Sequence, residues 1–233
     1  MMEPSRELRF AEGETLLVRK PAGWTSFDVV HKIGRMFGIK KVGHAGTLDP
    51  LATGLLIVCT GKKTKTLGEF VGLEKEYEAE MMLGARTESH DSATPVIETR
   101  STEGIGEERI RTVLAGFAGP RLQVPPMWSA LSVKGKRLYR YAREGVEVDR
   151  RPREIMIHSI ALLEVRLPVV RFRVTCSKGT YVRSLVDEIG ERLGCGAYLT
   201  ALERTRIGPY QLRDAVTIEE LAAYRATLGP VAS

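Results

Sequence analysis

Alternating apolar and polar residues predict strands at several places in the chain. Between Lys75 and Leu83 the odd positions are mostly apolar and the even positions carry three glutamates, which is typical of a half-buried strand. Residues 170–176 alternate in the same way. The run 55–59 is apolar throughout and predicts a fully buried strand, and residues 16–18 predict a short one.

Helices are predicted where apolar residues recur every three or four positions. One stripe runs from Phe27 to about Gly38, with Ser26 as a plausible N-cap. Similar stripes cover residues 110–117 and 182–193. The segment 217–220 has a capping-box pattern that predicts a final short helix.

Strands and helices are mixed without a regular alternating rhythm, and no internal repeat is present. This order favours an α+β fold with a largely antiparallel or mixed sheet. The 233 residues, of which 43% are hydrophobic, suffice for a sizeable core, and we expect one catalytic domain over residues 1–233.

The charge is unevenly distributed. The chain has a net charge of +6, and residues 134–153 contain eight Lys or Arg against three Asp or Glu, a net charge of +5. Tyr139, Tyr141 and, upstream, Trp128 lie among these cations. A basic segment with aromatic residues suits RNA, although a solvated helix with extended arginines has the same composition. Its concentration in one apparent insertion, residues 121–153, favours nucleic acid.

Three separated cysteines, Cys59, Cys176 and Cys195, predict buried free thiols rather than a metal site or disulfides. Residues 1–6 contain no apolar targeting segment, and no stretch approaches the ~18 apolar residues of a membrane span. We therefore expect a cytoplasmic protein with no membrane association.

One carboxylate stands out in the small-residue segment 43–54, which contains Asp49 followed by Pro50. The proline disfavours helical geometry at Asp49, and the glycines allow close approach of another backbone. Because a buried strand follows, this stiff loop is a suitable position for a catalytic acid. Asp49 could equally serve only as a turn residue.

Arg183 lies in the first turn of the predicted helix 182–193, where a cation opposes the helix dipole at a cost of about 0.3–1 kcal/mol if it is exposed. An arginine in this position either forms an ion pair with a carboxylate or is exposed without a role.

Four motifs together resemble the bacterial TruB-type tRNA pseudouridine synthases, which modify the uridine at position 55 in the TΨC arm. They occur in this order: His44-Ala45-Gly46-Thr47-Leu48-Asp49-Pro50, Lys75-Glu76-Tyr77, Gln123-Val124-Pro125-Pro126 with Ser129-Ala130-Leu131, and Lys178-Gly179-Thr180-Tyr181-Val182-Arg183. The resemblance extends from about residue 16 to residue 221.

The resemblance implies catalytic roles for Asp49, Tyr77 and Arg183. Asp49 would attack C1′ of the uridine or take its 2′ proton, and Arg183 would hold this carboxylate ionised and oriented. Tyr77 would stack on the base and help to remove its C5 proton. Three further residues would bind substrate: His44 would stack in the RNA loop, Tyr181 would lie near the aspartate, and Leu202 would lie beneath the uracil.

The resemblance also implies a pseudouridine synthase fold, with a central mixed or mainly antiparallel sheet flanked by helices and an inserted RNA-gripping thumb at about residues 121–153. It implies a monomer that flips its target base, needs no metal or organic cofactor, and binds tRNA without an obligatory protein partner. Many family members carry a C-terminal domain of the PUA type, and we expect none in this sequence. Trp128 stands where a tyrosine is usual, and the segment Lys20-Pro21 matches a family segment without an assigned role.

Three other functions are compatible with parts of this pattern. A tRNA-binding or folding chaperone would use the same basic surface, with catalysis secondary. A guide-RNA-dependent synthase would need protein partners. A glycosidase would need a second carboxylate, for which Asp91 and Asp187 are candidates that nothing in the sequence pairs with Asp49.

Overall fold

The computed structural model describes residues 9–228, which form an α+β fold with a mixed sheet flanked by helices. The strands are β1 (Thr15–Lys20), β2 (Val42–Ala45), β3 (Thr53–Thr60), β4 (Lys75–Leu83), β5 (Ala85–Thr87), β6 (Val96–Thr99), β7 (Gly119–Gln123), β8 (Ser132–Val133), β9 (Lys136–Arg137), β10 (Arg153–Arg166), β11 (Val169–Cys176), β12 (Ala197–Ile207) and β13 (Tyr210–Gln211). The α-helices are α1 (Ser26–Phe37), α2 (Leu67–Val71), α3 (Glu107–Ala115), α4 (Leu138–Arg143), α5 (Val182–Leu193) and α6 (Ile218–Thr227). Two 3-10 helices cover Gly61–Thr66 and Leu212–Asp214.

The described residues form two compact units. The first comprises residues 9–77 and 202–228, and the second comprises residues 78–201. Strands β4 and β12 contribute residues to both units. The single catalytic domain expected from the sequence stays a prediction.

Strand β3 is the centre of the first unit. It pairs antiparallel with β1 and β2 and parallel with β12, where Arg204 lies opposite Gly54. Alternate β3 side chains belong to two clusters: Leu56 and Val58 join the cluster that includes α1 and α6 residues, whereas Leu55 and Ile57 join the other. Both faces are buried, which explains why residues 55–59 of this strand are all apolar.

The second unit contains the strand order β12–β4–β11–β10–β7, and β10 pairs antiparallel with both β7 and β11. In β4 the alternation predicted from the sequence is confirmed, because Ala79, Met81 and Leu83 are buried. On the other face, Glu78 accepts a 2.7 Å hydrogen bond from Arg173. The alternation therefore separates core packing from a charged face.

The predicted helices are confirmed, with one correction at a cap. Thr25, not Ser26, is the N-cap of α1, and it forms a capping box with Asp28. The αL residue Gly38 ends this helix, as its position in the sequence suggests. Thr217 and Glu220 form the predicted capping box of α6.

Two regions contain strands that the sequence pattern did not predict. Residues 84–105, whose sequence is polar and rich in turn residues, include the antiparallel hairpin β5–β6. The 14-residue β10 was also missed, since its side chains do not alternate cleanly in burial. Both are formed by pairing with another strand, β5 with β6 and β10 with β7 and β11, and the local sequence pattern does not show this pairing.

Residues 121–153 belong to the second unit and contain the two-residue pair β8–β9 and helix α4. Leu138 is buried and begins α4. Two cations lie over aromatic rings: Lys136 is 4.6 Å from the ring centre of Tyr141, and Arg143 is 5.5 Å from that of Tyr139. This basic segment is thus partly organised by its own aromatic residues.

No helix within residues 9–228 is long and apolar enough to cross a membrane. The expectation of no targeting segment rests on residues 1–6, which lie outside the described residues. The three cysteines are buried and free, as predicted.

Candidate active site

The Asp49 loop is held at several backbone positions by its own unit. Ser26 Oγ accepts a 2.8 Å hydrogen bond from Leu48 N and lies 3.2 Å from Leu48 O, to which it donates. Gly23 N donates to Pro50 O at 2.8 Å, and Ala52 N closes a turn onto Asp49 O at 3.0 Å. The residue before Asp49 and the residue after it are therefore fixed, while the Asp49 side chain stays partly exposed.

A buried lysine lies close enough to Asp49 to interact with it electrostatically. Lys20 is fully buried, and its Nζ donates to the carbonyl oxygens of Pro21 and Trp24. Burial lowers the pKa of Lys20 to about 8, against the opposing effect of the Asp49 charge and with a further lowering by Arg204. Lys20 belongs to a family segment to which no role was assigned. In the structure it is a buried lysine, and the negative charge of Asp49 favours its protonated form.

Arg204 on β12 holds the start of the loop. Its Nε donates to Leu55 O at 2.7 Å and its NH2 group donates to Gly46 O at 3.0 Å, and the side chain is almost fully buried. A Cβ on Gly54 would lie 2.4 Å from the carbonyl oxygen of Arg204. The glycine therefore admits the neighbouring strand of the same chain, so at Gly54 the backbone that approaches closely is that of Arg204.

The other predicted site residues of the first unit lie on strands around this loop. His44 is on β2, and burial together with the Arg204 charge lowers its pKa, which favours the neutral imidazole. Leu202 is on β12, where its carbonyl accepts from Thr53 Oγ1 at 3.4 Å, and its side chain is largely buried. Tyr77 is on β4 and is also largely buried. These residues share a unit with Asp49, and their roles toward a substrate stay predictions.

Arg183 is a buried cation of the second unit, so the exposed alternative is wrong. Its Nε lies 3.5 Å from Asp91 Oδ2, and both side chains are about 5% exposed. Its two terminal nitrogens donate to Ser89 O at 3.0 Å and to Trp128 O at 2.8 Å. The cation in the first helical turn is therefore paired with a carboxylate, that of Asp91. The predicted pairing of Arg183 with Asp49, which belongs to the other unit, stays a prediction.

Tyr181 is positioned by a residue whose role the sequence did not reveal. Gln123 is buried, and its Oε1 accepts from Tyr181 N at 2.8 Å while its Nε2 donates to Tyr181 O at 3.1 Å. Tyr181 is the N-cap residue of α5. The motif that begins at Gln123 thus fixes the helix start that bears Arg183, and this connection spans 58 residues of sequence.

The two carboxylates considered for a glycosidase each have a cationic partner. Asp91 faces Arg183 and accepts hydrogen bonds from Ser89 Oγ and Ala93 N. Asp187 forms an ion pair with Arg86 at 3.0 Å. Each of these carboxylates is therefore engaged in an ion pair within the second unit, which accounts for it structurally without a glycosidase role.

Two family models and several known proteins match this chain. The family model for the TruB family pseudouridylate synthase N-terminal domain matches residues 34–182, and that for the tRNA pseudouridylate synthase B C-terminal domain matches residues 183–229. The tRNA pseudouridine synthase B of Chlorobium luteolum is 50% identical over 216 residues, which is 91% of this chain and 75% of the relative. The Phocaeicola vulgatus protein of the same name is 49% identical over 91% of this chain and 93% of its own length.

Among solved structures, a Cbf5-Nop10-Gar1 complex contains a chain with a TM-score of 0.73 and 32% identity; the match covers 92% of this chain and 55% of that one. The archaeal box H/ACA sRNP Nop10-Cbf5 complex matches with a TM-score of 0.70 and 30% identity, over 95% of this chain and 57% of that one. Fold and matches together define a pseudouridine synthase, an isomerase. The chain belongs to the TruB family of pseudouridylate synthases.

Proposed function

We propose that this enzyme isomerises uridine 55 in the TΨC arm of tRNA to pseudouridine. The tRNA substrate is named for the relatives that are about 50% identical to this chain. The reaction breaks the N1–C1′ bond, turns the uracil, and forms a C5–C1′ bond. C5 loses a proton and N1 gains one, so no redox partner is needed.

Asp49 is the catalytic carboxylate of this proposal, acting as nucleophile at C1′ or as base at the 2′ position. The observation that carries the proposal is the way its loop is built. Main-chain atoms on both sides of Asp49 are fixed by hydrogen bonds, the side chain is partly exposed, and a buried lysine supplies positive charge nearby. A carboxylate on a fixed main chain with a cation nearby suits attack on an electron-poor sugar carbon.

Tyr77 and Arg183 complete the proposed catalytic set. Arg183 would orient the Asp49 carboxylate, and its buried partners in the second unit would keep the guanidinium in a fixed position. Tyr77 would stack on the flipped uracil and assist the loss of the C5 proton. His44, Tyr181 and Leu202 would bind the RNA loop and the base, and the neutral state favoured for His44 suits stacking.

The proposal includes activity as a monomer without protein partners or a guide RNA. The structural neighbours noted above are complexes with further proteins. Independence from partners is therefore tested separately from the chemical reaction. Turnover of a bare tRNA transcript by the purified chain would support it. A requirement for added proteins or guide RNA would favour the guide-dependent alternative.

Replacement of Asp49 by Asn tests the catalytic role. With tRNA transcript tritiated at C5 of uridine, we expect the wild-type enzyme to release tritium and Asp49→Asn to release none above background, because the amide can neither attack C1′ nor accept the 2′ proton. RNA affinity should stay within about twofold, since the loop backbone contacts do not involve the carboxylate.

Asp214→Asn is the matched control, because Asp214 is an exposed aspartate of the same unit. It should retain full activity. Turnover by Asp49→Asn at the wild-type rate would exclude the proposed role, and tight RNA binding without turnover by the wild type would favour the chaperone alternative.

A further inference from the structure

The exposed face of helix α1 carries an unusual aromatic pair. Phe27 is 70% exposed, the largest exposure among the large apolar side chains that are exposed in residues 9–228. Its ring is nearly parallel to that of His31, one turn further on, with an angle of 4° and 6.2 Å between ring centres. Such exposure forgoes the stabilisation that burial of the ring would contribute, and it offers a flat apolar surface to a partner.

Cations surround this pair. His31 and Arg35 line two adjoining grooves: one, of about 1060 Å³, also includes Trp24, Lys32 and Arg225, and the other, of about 400 Å³, includes Phe27, Gly34 and Lys40. The acidic residue of this face, Asp28, is engaged in the helix cap with Thr25. The face therefore combines exposed rings with positive charge, a combination that matches the stacked bases and phosphates of unpaired RNA.

The same helix is attached directly to the catalytic loop. Ser26, the neighbour of Phe27, makes two hydrogen bonds with the main chain of Leu48, and Leu48 precedes Asp49. Phe27 and Asp49 lie in the same unit. The proposed platform is therefore joined at Ser26 to the loop that bears Asp49.

We propose that Phe27 and His31, with Arg35 and Lys40, form an RNA-binding platform on which an unpaired base of the substrate stacks while the cations contact its phosphates. The proposal rests on the proposed tRNA substrate and extends it to a surface outside the predicted site residues. A protein partner or a second copy of the chain would use the rings, but would leave the surrounding positive charge without complementary groups.

Binding of a TΨC stem-loop RNA to variants of the full chain tests the platform. Phe27→Ala should raise the Kd by about fivefold or more, because the stacking surface is lost, whereas Phe27→Tyr should bind like the wild type. Arg35→Gln should reduce the slope of log K against log salt by about one, while Phe27→Ala should leave that slope unchanged. At saturating RNA all three variants should keep the wild-type rate of tritium release.

Matched controls are Ile97→Ala, which truncates another exposed apolar side chain, and Arg111→Gln, which removes a cation from the exposed face of α3. Both should leave the Kd and the salt slope unchanged. Equal Kd values for the wild type and Phe27→Ala would overturn the platform, as would a change in sedimentation without a change in RNA affinity. A wild-type enzyme that releases no tritium from tRNA would instead contradict the proposed function.

Discussion

At the scale of single residues, Lys20 illustrates how the fold sets the charge of a side chain. The lysine is fully buried among backbone carbonyls, with Asp49 and Arg204 acting on it in opposite directions. Its pKa of about 8 means that the folded protein binds this proton less strongly than an unfolded chain does, for which the ordinary value is 10.5. Below pH 8 folding buries a charged lysine. Between pH 8 and pH 10.5 folding releases the proton, and above pH 10.5 the lysine is neutral in both states.

The stability should therefore rise with pH in a window that Lys20 defines. The free energy of unfolding of the wild type, relative to that of Lys20→Met, should increase by about 2–3 kcal/mol between pH 7 and pH 10. Urea unfolding of both proteins across this range measures the difference, and the shared titration of other groups cancels. A difference that does not change with pH would contradict the lowered pKa.

Asp91 is a second residue whose importance only its contacts reveal. Asp91→Asn keeps an oxygen for Ser89 and Ala93 but removes the charge facing the buried guanidinium of Arg183. The free energy of unfolding should fall by about 3 kcal/mol, as expected when a buried ion pair loses one partner. Urea unfolding compares it with Asp214→Asn, an exposed control that should change stability by less than about 0.5 kcal/mol. Equal effects of the two substitutions would contradict this role.

At the scale of secondary structure elements, the close approach of β3 and β12 depends on Gly54. This residue has a φ of 101°, and a side chain there would meet the backbone of Arg204, the residue that also holds the Asp49 loop. Pairing of these two parallel strands thus fixes the loop on which the proposed chemistry depends.

Gly54→Ala should consequently cost much more than the backbone strain alone. Gly104 is the matched control, since it also has a positive φ, 75°, but no atom within 4 Å of the Cβ position. We expect Gly104→Ala to cost about 1–2 kcal/mol and Gly54→Ala at least twice that amount, measured by urea unfolding. Similar costs at both positions would show that β12 can shift to admit a methyl group.

At the scale of the whole molecule, much of the positive charge lies in one segment. Residues 134–153 carry a net charge of +5 within a chain of net charge +6. Some of these cations are engaged locally, such as Lys136 with Glu144 and Arg150 with Glu147. Lys134, Arg140 and Arg151 are exposed and would contact phosphates if the segment grips RNA, as the family resemblance implies.

Replacement of these three cations by glutamine should weaken RNA binding and its dependence on salt. The slope of log K against log salt should decrease in magnitude by about 2–3, since each phosphate contact contributes about 0.7–0.9. Removal of three cations outside the segment, Arg111, Arg166 and Arg192, should change the slope less. Equal slopes for the two triple variants would show that the segment has no special part in binding.

The sequence by itself determined the elements whose signals are local. The alternation in β4, the apolar run of β3 and the capping box of α6 depend on near neighbours, so the pattern alone predicted them. Recognition of the family also depended on short motifs, and it supplied the roles assigned to Asp49, Tyr77 and Arg183, which stay predictions.

Only the tertiary structure decided which groups surround those residues. The hydrogen bonds from Gln123 to Tyr181, the ion pair of Arg183 with Asp91 and the burial of Lys20 near Asp49 join segments that are far apart in sequence. The exposure of Phe27 is also a tertiary property, because the apolar stripe of α1 predicted a core residue there. Burial and charge pairing depend on what packs against a side chain, and local periodicity contains no information about that partner.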